Sequence, residues 1–169
     1  MSIELMMDNV TIFWIQILTT VIVLTLIAVW YVWPALIRVS RNSALIILLF
    51  VHVFRYLGMT LLVKGMVDPN LPGAFLSSAA YGDLLAAALA LASIFALRGN
   101  WRFAVPLVWA FSLWGLVDLL NGLRSTFALN VPSFNLDTLW YIYVFYGPLV
   151  IVSQLMIFWI LIKSKSWKI

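Results

Sequence analysis

The sequence predicts an all-α, polytopic membrane protein: a five-transmembrane-helix bundle with its N-terminus outside and its C-terminus cytoplasmic. Three observations predict it. Only 9% of the 169 residues are charged and 65% are hydrophobic, against about 25% charged in an average soluble domain. Mean hydropathy is +1.10, so the chain cannot cover itself with polar surface in water. Five apolar runs approach the ~20 residues that cross a hydrocarbon core, and Lys and Arg collect at alternate ends of those runs. A single domain over 1–169 follows, with helices over about 10–36, 44–66, 79–97, 103–123 and 139–162 by the same length rule.

The first run follows Glu4 and Asp8, where a secretory signal would carry Lys or Arg, and it outlasts a signal's apolar stretch; it is expected to be a retained helix. The second is interrupted by His52, Arg55 and Lys64. The third is short and alanine-rich. Its rows Ala88–Ala92–Ala96 and Gly82–Ala86–Ala90 let backbones approach closely, which places this helix centrally. The fourth contains Asp118 and Asn121. The fifth carries Gly147-Pro148, a kink signal, because proline removes a backbone donor and clashes one turn back.

Orientation comes from the basic residues. Arg38, Arg41, Arg98, Arg102, Lys163, Lys165 and Lys168 share one set of ends, and only Lys64 and Arg124 lie at the other. The positive-inside rule puts the first set in the cytoplasm. Trp14, Trp30, Trp33, Trp101, Trp140 and Trp159 lie near segment ends, where indole N–H groups reach the headgroup layer. The expected location is the cytoplasmic (inner) membrane of a bacterium, multi-pass.

Ionisable groups inside a bilayer are costly and usually find partners or line a pathway. At about 1.5 Å rise per residue, Arg55, Asp83, Asp118 and Tyr146 fall in one layer of the outer half, on four different helices. His52, Ser112 and Gln154 form a second layer nearer the midplane. Helical spacing places His52, Arg55 and Tyr56 on one face of the second helix, and Trp114, Asp118 and Asn121 on one face of the fourth. The expectation is an outward-facing polar cavity that binds or passes a small ligand or proton. Its candidate ligand-binding residues are Arg55, Asp83, Asp118, His52, Tyr56, Trp114, Asn121, Tyr146 and Gln154. A purely structural ion pair, an accessory or assembly subunit of a larger membrane complex, and a membrane enzyme acting on a lipid or isoprenoid remain open beside it.

Other chemistry is thin. With no cysteine there is no thiolate nucleophile and no Cys-ligated metal. No G-x-S-x-G, H-E-x-x-H or phosphate-binding loop occurs, so no catalytic residue is assigned and a non-enzymatic role is favoured. No metal site and no cofactor are expected; the sole histidine, His52, is the one place where haem or chlorophyll could be ligated. Expected partners are membrane lipids, a small-molecule ligand, and a homo-oligomer or larger complex. Nucleic acid is not expected, because the basic residues sit at helix ends and form no patch. No family is assigned: the Trp- and Pro-rich first-helix signature of the translocator proteins is missing. Arg55-Tyr56-Leu57-Gly58 with Lys64-Gly65 resembles the Arg and Gly spacing of DoxX-like proteins over too short a stretch to carry function.

Overall fold

The structure, a computed structural model, describes residues 7–163. The described residues are helical, without strands, and five helices are long and apolar enough to cross a membrane. These are α1 (Asn9–Leu36), α2 (Arg41–Leu62), α3 (Gly73–Arg98), α4 (Ala104–Ala128) and α5 (Leu139–Ile162). Glu4, Lys165 and Lys168 of the charge pattern lie outside the described residues.

α1 is rich in Ile, Val and Thr, weak helix formers in water. An unbroken helix satisfies every backbone N–H and C=O within so apolar a segment, which offsets the weak propensity. Side-chain caps start the first two helices: Asp8 accepts from the backbone N–H of Thr11 at 3.1 Å, and Ser40 from that of Ser43 at 3.2 Å. Left-handed asparagines follow α3 and α4, with Asn100 at φ 50° and Asn130 at φ 48°.

The helix boundaries differ most from the sequence expectation at three ends. α2 stops at Leu62, because Val63 is extended and Gly65 adopts φ 85°. α3 is not short: it begins at Gly73 and runs for 26 residues. α4 continues to Ala128, through Ser125 and Thr126. The reason is common to the last two. Ser77 Oγ donates to the Gly73 carbonyl at 2.8 Å and Thr126 Oγ1 to that of Gly122 at 2.9 Å, so residues that read as loop satisfy themselves on the helix one turn back.

Two wide π-turns interrupt α1 and α5, at Ala28–Val32 and Ile142–Tyr146, each just before a proline, Pro34 or Pro148. A proline ring pushes against the carbonyl four residues earlier, and widening the preceding turn relieves that clash. The expected bend at Gly147-Pro148 thus takes the form of a π-turn. Pro34 works in the same way.

α3 lies between α2 and α4; α5 packs on α2 and α4, and α1 packs mainly on α5 and the segment before it. The most apolar window of α3 is 50% buried and that of α1 only 11%, so α3 is the central helix and α1 the peripheral one. The small-residue row that faces the neighbours is Gly82–Ala86–Ala90; of the other row, Ala88 and Ala92 are exposed and only Ala96 is buried. Two apolar cores result. One, at the basic end, joins Leu45, Leu49, Ile94, Phe111 and Ile157; the other joins Phe13, Leu61, Phe75, Val131 and Leu139. The buried polar side chains His52, Arg55, Ser112, Ser153 and Gln154 lie between them.

At the basic end Asn42 Nδ2 donates to Asn100 Oδ1 at 3.3 Å. At the opposite end Asp68 accepts from the backbone N–H groups of Asn70 at 2.9 Å and Asn135 at 3.2 Å, tying the α2–α3 loop to the α4–α5 loop. Those donors hold the Asp68 carboxyl below its ordinary value of 3.8. Because the folded value is depressed, the contribution is fully present above the unfolded value and lost as pH falls through the folded one. Hydrogen exchange at the Asn70 and Asn135 amides, corrected for intrinsic rate, is therefore expected to be slow above pH ~4 and to accelerate together below it. In Asp68→Ala both should be fast at every pH; protection unchanged in that variant would show that the carboxylate does not join the loops.

Candidate functional site

The site is built on a stretch where α2 changes winding. From Phe54 to Leu62 the helix tightens into nine residues of 3₁₀, far beyond the usual three or four. The change begins one residue before Arg55. The Tyr146 hydroxyl of α5 donates to the Val51 carbonyl at 2.7 Å, next to the junction where the bonding pattern shifts.

Arg55 reaches from α2 to both neighbouring helices. Its Nε donates to Oδ1 of Asp83 on α3 at 2.7 Å, and its Nη2 donates to Oδ2 of Asp118 on α4. The arginine is 2% exposed, whereas the Asp83 and Asp118 side chains keep 27% and 13%. Glycines make room for the carboxylates. A Cβ at Gly58 would overlap the Asp83 carboxylate, and one at Gly82 would overlap that of Asp118. Each acid thus seats over the bare backbone of the next helix, and Trp114 Nε1 donates to the Gly82 carbonyl at 3.3 Å beside it.

A cavity of about 210 Å³ opens on these charges. Its floor is Arg55, Asp83 and Asp118, and Tyr146 and Asn121 also line it. Its walls are largely apolar and aromatic, with Ile17 of α1, Phe75 of α3 and Tyr143 of α5 among them. Trp14 of α1 closes one side, with its ring stacked on Phe127 of α4 at 4.6 Å and 8° between planes. Gly122 lies on the wall with open space where a side chain would stand.

Below the floor the second polar layer is present but separate from the cavity lining. Gln154 Nε2 donates to the Ser112 carbonyl at 3.3 Å, and His52 Nε2 meets Ser153 Oγ at 3.1 Å. Ser153 Oγ also lies 2.8 Å from the Leu149 carbonyl and 3.1 Å from that of Val150, so its one hydrogen is shared among three neighbours. Four atoms of this layer and the triad are buried without a hydrogen-bond partner: His52 Nδ1, Arg55 Nη1, Ser112 Oγ and Gln154 Oε1. Two of them converge on Gly115, with Gln154 Oε1 at 3.2 Å and Arg55 Nη1 at 3.4 Å from the position of an added Cβ. His52 is wholly buried against the Phe111 ring, 5.0 Å between centroids, and its Nε2 is engaged by Ser153. Among the described residues, no group of three or more His, Asp or Glu is placed to hold a metal ion.

Of the residues singled out from sequence, the structure brings Arg55, Asp83, Asp118, Asn121 and Tyr146 to the cavity. His52 and Gln154 lie under it. Tyr56 does not line it: it is 46% exposed and its ring neighbours Phe54, because residues i and i+1 lie about 100° apart around a helix and do not share a face. Trp114 is outside the lining and serves the α3–α4 contact. Sequence reasoning missed Gly58, Gly82, Gly122, Phe75 and Tyr143, and it read Trp14 as a headgroup residue. Gly82 beside Asp83, and Gly58 three residues after Arg55, are the signal that could have marked a close approach.

The bundle and its buried charges define an all-helical protein of candidate membrane spans with an apolar-walled cavity between them. Over residues 12–162 the chain matches the family described as a domain of unknown function (DUF8737), and it belongs to that family. No curated protein and no solved structure matches it.

Removing the guanidinium alone strands two buried carboxylates, which costs about 3–5 kcal/mol when a buried pair loses one partner. Arg55→Met should therefore lower stability by roughly that amount in a denaturing-detergent titration. The triple variant Arg55→Met, Asp83→Asn, Asp118→Asn should recover most of it. Equal stability of the single and triple variants would show that the charges are not coupled.

Proposed function

We propose that the protein spans the cytoplasmic membrane five times, N-terminus outside and C-terminus cytoplasmic, and that its cavity faces outward and binds a small ligand. The observation that carries the proposal is the buried cluster of Arg55, Asp83 and Asp118 at the floor of an apolar-walled cavity. Three charged groups at membrane depth are costly, and such groups ordinarily mark a ligand or ion pathway. A purely structural pair needs no cavity beside it, whereas here both carboxylates retain exposure toward one. The walls and floor fit a molecule with an apolar body and a polar head, the usual composition of a ligand pocket. The orientation is supported by Arg38, Arg41, Arg98, Arg102 and Lys163 at one end of the bundle, with Asp8, Asp68 and Asp137 at the other. Under that orientation the cavity lies in the outer half. The unpartnered polar atoms beneath the floor extend the polar path inward as far as His52, the feature that would matter if protons also move here.

Orientation is directly testable because the chain has no cysteine. A cysteine at Met66 should react with a membrane-impermeant maleimide on intact cells, and one at Arg102 only after permeabilisation; the reverse pattern would invert the topology. For the cavity, Gly122→Phe places a ring in the open space without touching the charges. Wild-type protein extracted in mild detergent should carry a small-molecule adduct in native mass spectrometry, and Gly122→Phe should not. An adduct that survives the substitution, or wild-type protein without one, counts against a ligand in this cavity.

A further inference from the structure

We infer that the ligand is a lipophilic monocation, an aliphatic ammonium whose charged head sits at Asp83 and Asp118 and whose hydrocarbon body lies along the aromatic walls. The inference rests on the cavity being a ligand site, and it adds the charge and chemical class of the occupant.

The first argument is the charge count. Two carboxylates face one guanidinium, and among the described residues lining the cavity these are the sole carboxylic-acid and basic side chains, so the formal charge of the floor is one negative in excess. The second is direction. Arg55 is 2% exposed and spends Nε and Nη2 on the acids. Its remaining nitrogen, Nη1, points to Gly115 and Gln154 beneath the floor. An anion entering the cavity would find no free guanidinium edge. A cation would find negative charge that the arginine does not fully engage: Oδ2 of Asp83 and Oδ1 of Asp118, seated over Gly58 and Gly82, take no hydrogen bond from any described residue, and both side chains are partly open. The third argument is the wall. Trp14, Phe75, Tyr143 and Tyr146 surround the same space. Aromatic faces attract cations through their quadrupole, and a ring of them beside carboxylates is the chemistry that recognises ammonium groups. In a low-dielectric setting both attractions strengthen, because no bulk water competes.

The probes are octyltrimethylammonium, 1-octanol and octyl sulfate, which share a chain and differ in head charge. Titration calorimetry is done on the full chain in dodecyl maltoside, with empty micelles subtracted; phosphatidylcholine is avoided because its own head is a quaternary ammonium. The cation should bind saturably at one per chain, octanol at least tenfold more weakly, and octyl sulfate not at all. Asp118→Asn, which neutralises the excess charge, should weaken the cation at least tenfold and erase most of its preference over octanol; Asp83→Asn is the parallel variant should the first fail to insert. Octanol or octyl sulfate binding as tightly as the cation, or cation affinity unmoved by the substitution, overturns the charge assignment while leaving the cavity as a ligand site. No saturable binding of any of the three overturns both.

Discussion

Three charges on three helices, joined through one guanidinium, set the geometry of everything around them. Arg55 can reach Asp83 and Asp118 together only if α2, α3 and α4 meet at one height with the right faces inward. Arginine suits this position because its planar fork donates in two directions at once, which a lysine ammonium could not do with the same fixed geometry. A charge held this deeply cannot tolerate a missing partner, so the register of three helices is locked by the cost of the alternative more than by the strength of the bond.

The backbone yields where that constraint demands it. Gly58 and Gly82 supply bare surface for the two carboxylates, and Gly115 brings α4 close to Arg55 Nη1 and Gln154 Oε1. α2 tightens into 3₁₀ through the arginine, and α5 widens into a π-turn where Pro148 denies it a regular turn. The Tyr146 hydroxyl joins the π-turn of α5 to the last regular turn of α2, at Val51, just before the 3₁₀ stretch. Irregular helix at mid-bundle is expensive without neighbours to satisfy the freed groups. Here the irregular stretches of α2 and α5 both border the cavity.

The cavity owes its shape to the helix that contributes least to the core. α1 is mostly exposed, yet its Trp14 and Ile17 complete the wall, and the stack of Trp14 on Phe127 bridges to α4. Gln16 Oε1, accepting from Trp140 Nε1 at 2.6 Å, fixes the same turn of α1 against the start of α5. The wall on this side is thus held by ring contacts and one hydrogen bond, while the floor is held by ion pairs within the central helices.

What the sequence determined by itself is the helical bundle and the level of the charges. Long apolar runs admit one backbone solution, and 1.5 Å per residue is enough to place Arg55, Asp83 and Asp118 at one height. Periodicity carries depth well. It carries rotation poorly, because a helix that changes from α to 3₁₀ shifts every later residue around its axis. Tyr56, next in sequence to Arg55, points about 100° away from it around the axis and lies outside the lining. Polar residues near helix ends misled the boundaries of α3 and α4, since Ser77 and Thr126 bond to their own helix and so do not break it. Which glycines receive carboxylates, which tryptophan closes a wall and where the empty space lies depend on how side chains from separate helices interlock. That is a property of packing between segments distant in the chain, and only the tertiary structure could decide it.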